Sequence, residues 1–281
     1  MSIEACDPRL PFARRALGPV TVVPSPGLPA HLLTITDLRD APYVVKRHTS
    51  RQRFENETRA YQTWIPQLGD LAPALVAADP ATQSLLLTML PGRSAARLPT
   101  GSAAELHAHQ SAGATLRLLH QIPPPKRPGN DIAAHLAGRL RWWTGRAHTL
   151  NLITGSEQRA LLIRADRLAT SAMRTATCHL DYQPRNWIIG PDTVVRVLDF
   201  EHARTDARVR DFARLEHRLW KPNPRLRTAF FDGYGHPLNP QDQALLAQFG
   251  AIEAVTALVR GHERGDLSLV EHGRTLLDHL A

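Results

Sequence analysis

This chain of 281 residues is short of cysteine, lysine and aromatic side chains, and each shortage removes a class of protein. Two cysteines, Cys6 and Cys178, cannot build a disulfide framework, so stability has to come from buried cores. No internal repeat is visible, which argues against solenoids and propellers. No apolar run approaches the roughly 18 residues of a spanning helix. Met1 to Leu10 lacks the apolar centre of a signal peptide. A cytoplasmic protein with no membrane partner is therefore expected. No G-x-G-x-x-G stands near the N-terminus. Only three of the 34 basic residues are lysine, Lys46, Lys126 and Lys221, so each lysine invites a question about its place.

What is present reads as globular, with 43% hydrophobic and 21% charged residues in a chain long enough for two lobes with sizeable cores. The formal charge of +8 and the pI near 10.3 raise a nucleic-acid-binding module as one candidate. Such a module concentrates its charge on one face, whereas arginine here is spread through every segment. Local groups such as Arg139, Arg141, Arg146 and Arg204, Arg208, Arg210, Arg214 read as solvated helix faces, the second interleaved with Asp206 and Asp211. No nucleic-acid motif accompanies them, so no nucleic-acid partner is expected. Fourteen histidines suggest a metal site. The tight pair His107 and His109 has no cysteine or third spaced ligand, and reads as an exposed helix feature.

The most informative stretch runs from His179 to Asn186 as H-x-D-x-x-x-x-N, followed by Asp199-Phe200. Between the two pieces lie Trp187-Ile188-Ile189, a Gly190-Pro191-Asp192-Thr193 turn signal and a β-branched run from Val194 to Leu198, together a β-hairpin. A hairpin returns to where it began. Asn186 and Asp199 should then share one open end, an amide oxygen and a carboxylate able to hold a hard divalent cation such as Mg²⁺. Asp181 lies in the loop entering this mouth, where a carboxylate can orient an attacking hydroxyl or accept its proton. Singly, each of these residues reads more simply as a turn former. Together they read as phosphoryl transfer.

The segment from Cys178 to Leu215 resembles the catalytic loop of the aminoglycoside phosphotransferase and choline kinase-like family, a branch of the protein-kinase-like fold. Asp199-Phe200-Glu201 matches that family's D-x-D/E or D-W-E segment, and Asp206 with Asp211 matches its downstream acidic pair. Leu180 and Arg185 depart from it, standing where the family usually has glycine. The resemblance implies an α+β bilobal fold, with a β-rich nucleotide-binding lobe over residues 1–90 and a mainly helical catalytic lobe over 91–281. It implies ATP or GTP with Mg²⁺, Asp181 as catalytic residue, Asn186 and Asp199 as metal ligands, His179 as a support beneath the loop and Asp211 as its brace. Cys178 beside His179 is then a small buried side chain rather than a nucleophile.

Lys46 ends the apolar strand Tyr43-Val44-Val45-Lys46, where kinase folds place a lysine on the α/β-phosphates. Its expected partner is Glu57. The segment Arg53 to Ile65 reads as a helix whose inward stripe carries Phe54, Thr58, Tyr61 and Ile65, and Glu57 falls on that stripe. An acid on a buried stripe wants a cation. Leu85 to Leu90, ending in Pro91-Gly92, resembles the inter-lobe hinge, so Thr88, Met89 and Leu90 are expected to meet adenine through their backbone. The turn Pro24 to Pro29, containing Ser25, falls where the phosphate-covering loop would be. Ile122 to Gly129 reads as a proline-rich loop.

The interval from Asp199 to Asp211 is too short for the peptide platform of a protein kinase, so the acceptor should be a small-molecule hydroxyl. The resemblance favours an antibiotic, either an aminoglycoside or a cyclic peptide of the viomycin and capreomycin type, with choline, homoserine or a sugar amine as the metabolite alternative. A cationic antibiotic wants carboxylates at the mouth. Glu201 is placed for that, with Asp232, Glu253, Glu263 and Asp266 as looser candidates.

Overall fold

The computed structural model describes residues 7–124 and 131–280; Cys6 and the Pro125–Gly129 part of the expected proline-rich loop lie outside them. Helix α1 (Arg9–Leu17) precedes an antiparallel sheet of β1 (Thr21–Val22), β2 (Leu32–Thr36), β3 (Pro42–Arg47), β4 (Leu75–Asp79) and β5 (Ser84–Thr88), ordered β1-β2-β3-β5-β4. Successive side chains alternate between the faces of a strand. Val45 accordingly joins Leu10, Phe12 and Ala13 of α1 in one core with Ile35 and Leu86. Lys46 points the other way, toward α2 (Arg51–Thr63), whose Phe54 and Tyr61 share a core with Leu85 and Leu87. Helix α1 was not foreseen from the sequence.

Beyond β5 the chain turns through Pro91 and Gly92 into β6 (Arg93–Ser94). Gly92 has φ +127°, and a Cβ there would lie 2.0 Å from the carbonyl oxygen of Ile189. Only glycine lets the crossing chain pass this close. Helices α3 (Ala103–Gln121), α4 (Ile132–Thr149) and α5 (Gly155–Ala169) follow, each started by a side-chain cap: Ser102, Asp131 and Thr154. Next come β7 (Thr175–Cys178), β8 (Trp187–Ile189), β9 (Val195–Val197) and β10 (Arg204–Ala207). The expected hairpin is β8–β9, with Trp187 opposite Val197, and β6 pairs with its outer edge. The strand leaving the sheet is thus stitched to the hairpin that carries the site.

Helices α6 (Arg210–Leu215), α7 (Pro224–Tyr234), α8 (Pro240–Arg264) and α9 (Leu267–Asp278) complete the chain. By length and apolar content alone α8 could cross a bilayer, but its Ala254, Val255, Leu258 and Val259 are buried with Leu140, Leu161 and Leu276 of α4, α5 and α9. An aromatic cluster of Tyr182, Trp187, Phe212, Phe230 and Tyr234 packs beside the 179–186 loop. His109 corrects the expectation of an exposed histidine pair. It is 1% exposed, hydrogen-bonds the carbonyl of Glu105 at 2.9 Å and meets the Trp187 ring edge-on, because α3 turns that face inward. His107 is exposed, as expected.

Candidate active site

Strand β7 delivers the chain to His179, and its antiparallel partner β10 leads to Asp211 at the start of α6. That pairing brings the two motif ends together. The Asp211 carboxylate accepts the backbone N–H of His179 at 2.8 Å and of Leu180 at 2.5 Å, and lies 3.0 Å from His120 Nε2. Burial pushes its pKa up, but the His120 hydrogen bond and nearby histidine charge hold it below the usual carboxylate value. His179 Nε2 donates to the carbonyl of Leu198 at 2.8 Å while Nδ1 accepts the N–H of Asp181 at 3.2 Å, an arrangement that suits a neutral ring. Burial also pushes the His179 pKa down. It ties the loop to the residue before Asp199 and moves no proton.

Leu180 follows with φ +64°, in the left-handed region where the family's glycine would rest without strain. Asp199 is also left-handed, at φ +69°. Such strain in non-glycine residues persists where surrounding contacts enforce it, here the two backbone hydrogen bonds accepted by Asp211 and the closure of the hairpin end.

Asp181 is 3% exposed, and its carboxylate meets Gln183 Nε2 at 2.7 Å, Arg185 Nη2 at 2.7 Å and Asn186 Nδ2 at 3.0 Å, with Arg214 also paired to it. Asn186 uses its amide nitrogen a second time, on the Asp181 carbonyl at 2.9 Å, which leaves Oδ1 without a partner among the described residues. The N–H of Leu198 closes the hairpin on the carbonyl of Asn186 at 2.9 Å, so Asn186 and Asp199 stand at the same end.

From the sheet side, Lys46 Nζ reaches Glu57 Oε2 at 2.7 Å and Asp199 Oδ1 at 2.5 Å. Burial opposes a charge on Lys46, but the two carboxylates outweigh it and hold its pKa above the ordinary lysine value. Glu57 is fully buried; Oε1 accepts the N–H of Phe200 at 3.0 Å and Oε2 lies 2.8 Å from His48 Nε2. His48 and Arg53 are members the sequence reading missed. His48 stands two residues beyond Lys46 and one past the end of β3, so continuing the strand's alternation puts it on the Lys46 face, which was a readable signal. Glu201 lines the cleft, but Arg53 Nη1 at 2.9 Å and His48 Nδ1 at 3.5 Å already flank its carboxylate.

The segment expected to form the hinge offers fewer free backbone groups than its three residues suggested. The N–H groups of Thr88 and Met89 are taken by the carbonyls of Ala74 and Pro42, leaving Leu90 with the one N–H of the three that is uncommitted among the described residues. Ser25 spends its hydroxyl on Thr34 at 2.6 Å. Among the looser acidic candidates Glu253 alone lines the cleft; Glu263 pairs with Arg146, Asp266 caps α9 and Asp232 is exposed.

The cleft bordered by Asp181, Asp199, Glu201 and Glu253, about 290 Å³, extends from Arg53 of α2 to Arg260 of α8. Asn186 and Asp199 offer hard oxygen donors, a set that fits Mg²⁺. Cys178 is completely buried, and burial raises its thiol pKa well above normal, so it is no nucleophile. The arrangement can hold a polyphosphate on a lysine and a divalent cation while a carboxylate receives a proton.

A sequence model described as the Phosphotransferase enzyme family (APH) matches residues 31–248. No curated protein sequence matches significantly. Among solved structures, the streptomycin–ATP ternary complex of APH(2″)-IIa superposes with a TM-score of 0.67 at 13% identity, over 99% of this chain and 97% of that one. Choline kinase LicA from Streptococcus pneumoniae gives 0.69 at 15% identity, over 96% and 98%. Macrolide 2′-phosphotransferase MphH from Brachybacterium faecium gives 0.62 at 14%, over 96% of each chain. At such identities the likeness is one of fold.

Proposed function

The chain belongs to the phosphotransferase enzyme family and is a small-molecule kinase by fold, and from that premise we propose that it moves the γ-phosphoryl group of ATP or GTP to a hydroxyl of its acceptor. The observation that carries this reading is the meeting of Lys46 and Glu57 with Asp199 beside the Asn186 end of the hairpin. Lys46 is the phosphate ligand, held charged and in place by Glu57. Asn186 Oδ1 and Asp199 would hold Mg²⁺, which neutralises developing phosphate charge. Asp181 orients the acceptor hydroxyl and takes its proton. The N–H of Leu90, at the join of the 1–90 and 91–281 lobes, is the backbone donor for the base. A cytoplasmic location goes with a nucleotide donor.

The acceptor divides two finer readings. Antibiotic inactivation, giving resistance, is supported by neighbours solved with streptomycin or described as macrolide phosphotransferases. A metabolite acceptor is supported by the choline kinase neighbour, and by arginines along the cleft that ill suit a polycation. Expression in a sensitive bacterium should raise the tolerated dose of a ribosome-targeting drug under the first reading and leave it unchanged under the second. The shared chemistry is tested by calorimetry. Asp199→Ala should lose ATP·Mg²⁺ affinity and turnover, and equal binding and turnover by both proteins would end the phosphotransferase reading.

A further inference from the structure

Eight arginines line the cleft against four carboxylates, and the excess lies on the helical side. Arg139 comes from α4, Arg214 from α6, Arg218 from the turn that follows it, and Arg260 and Arg264 from α8. Lys46, the phosphate ligand of the proposed reaction, lies on the opposite, sheet side. The carboxylates are already engaged. Asp199 holds Lys46, Glu201 holds Arg53, Glu253 holds Arg218 at 2.5 Å, and Asp181 is flanked by Arg185 and Arg214. Burial would raise the pKa of Glu253, but His272, Arg218 and Arg214 hold it down at about 2, so it stays spent on its neighbours.

Three of the arginines have no carboxylate in reach among the described residues: Arg139, Arg260 and Arg264. Arg139 is half-buried, and its Nε has no hydrogen-bond partner. Burial and the like charges of Arg210, Arg260, Arg204 and Arg214 bring its pKa down to about 10, an unfavourable setting for a guanidinium that serves only the fold. Arg260 leans over the Trp143 ring at 5.4 Å; burial and the neighbouring Arg264 keep its pKa below the ordinary arginine value, outweighing Glu253, which acts on its charge from a distance. Cations without an ion-pair partner, gathered in one cleft with the Asp181 carboxylate, are what an anionic ligand would neutralise.

We propose that the acceptor carries a carboxylate or phosphate group besides its reacting hydroxyl, and that Arg139 and Arg260 bind that anion. This rests on the phosphotransferase reading and narrows its substrate class. The hydroxyl oxygen bonds to the γ-phosphorus as the bond from that phosphorus to the departing nucleoside diphosphate breaks. The hydroxyl proton passes to Asp181, and the anionic group takes no part in bond making. A polycation entering the same cleft would face the arginines with no free carboxylate to meet it.

The test compares matched acceptors by nucleoside diphosphate release under saturating ATP·Mg²⁺. Glucose 6-phosphate and gluconate should exceed glucose at least tenfold in kcat/KM, with kanamycin and choline lower still. Arg139→Gln/Arg260→Gln should raise the acceptor KM at least tenfold and leave the ATP KM unchanged. Its Tm should hold or rise, because two crowded cations are removed. A best acceptor that is cationic or neutral overturns the proposal, as does a variant with unchanged acceptor KM. A second measurement needs no turnover: binding of the trisulfonate dye pyranine to the ADP·Mg²⁺-loaded protein in physiological salt. The wild type should bind at least tenfold more tightly than the variant, and equal affinity overturns the proposal. Loss of ATP·Mg²⁺ binding itself is read separately, by the Asp199→Ala calorimetry, and bears on the phosphotransferase reading.

Discussion

Glu57 Oε1 accepts the backbone N–H of Phe200 at 3.0 Å, so a side chain of α2 is fastened to the residue that follows Asp199. The same carboxylate holds Lys46 at 2.7 Å. Movement of α2 would therefore disturb Lys46 and the Asp199–Phe200 segment together. The relation is one of electrostatics as well as shape, because Glu57 is the fully buried counter-ion of a buried cation.

Glu57→Gln keeps an acceptor for Phe200 but removes the charge that Lys46 and His48 share. Breaking one side of a buried ion pair costs roughly 3–5 kcal/mol. Asp199 remains beside Lys46, so a loss of about 3 kcal/mol is expected in urea unfolding, together with a raised KM for ATP. Replacing both partners in Lys46→Met/Glu57→Met should recover part of the stability and none of the nucleotide binding. Stability equal to wild type in the single variant would show that the pair is not what secures α2.

The network also sets a pH dependence. Burial lowers the pKa of His48, but its close contacts with the Glu201 and Glu57 carboxylates outweigh it and leave the folded value above normal. A raised folded pKa means that the contribution is full below the unfolded value, about 6.5, and fades as pH climbs through the folded one. The Tm advantage of wild type over His48→Gln should thus be larger at about pH 6 than at about pH 9. An advantage that is flat, or that grows with pH, would contradict the assignment.

The hairpin and the placement of Asn186 and Asp199 at one end of it were legible because a turn signal between β-branched runs has one simple geometry, and these two residues bracket it. Lys46 and Glu57 were legible through two periodicities, strand alternation and the helical stripe. Helix α1 was not, since Arg9–Leu17 spreads three arginines among its apolar residues and its burial depends on a sheet formed later in the chain. The arginine cluster was hidden for a related reason. Arg139 and Arg214 sit on helices whose faces acquire a direction only when α4, α6 and α8 pack, and before that they look like any solvated stripe.

Leu180 allows the departure from the family's glycine to be measured. A left-handed non-glycine residue is strained by about 1–2 kcal/mol. Glycine removes that strain but loses roughly 0.5–1 kcal/mol to the freer unfolded chain. Leu180→Gly should therefore be neutral or stabilised by up to about 1 kcal/mol in urea unfolding, with turnover retained, because Asp211 still receives the same backbone N–H. Leu180→Val, β-branched at φ +64°, should instead be clearly destabilised. A glycine variant weaker than wild type by more than about 1 kcal/mol would mean that the leucine side chain matters more than its backbone strain.

Asp181 separates chemistry from binding. A substrate hydroxyl is a poor nucleophile near neutral pH, and a positioned general base contributes roughly 10²–10⁴-fold. Asp181→Asn preserves shape and can still accept from Gln183, but it cannot take a proton, and it leaves Arg185 and Arg214 without their counter-charge. The kcat should fall by about two to four orders of magnitude. The Kd for ATP·Mg²⁺ should change little, because Lys46, Asn186 and Asp199 are untouched. If kcat survives, Asp181 merely shapes the loop. If nucleotide binding disappears with it, Asp181 belongs with the metal ligands, and the division of labour among the three oxygen-bearing side chains has to be redrawn.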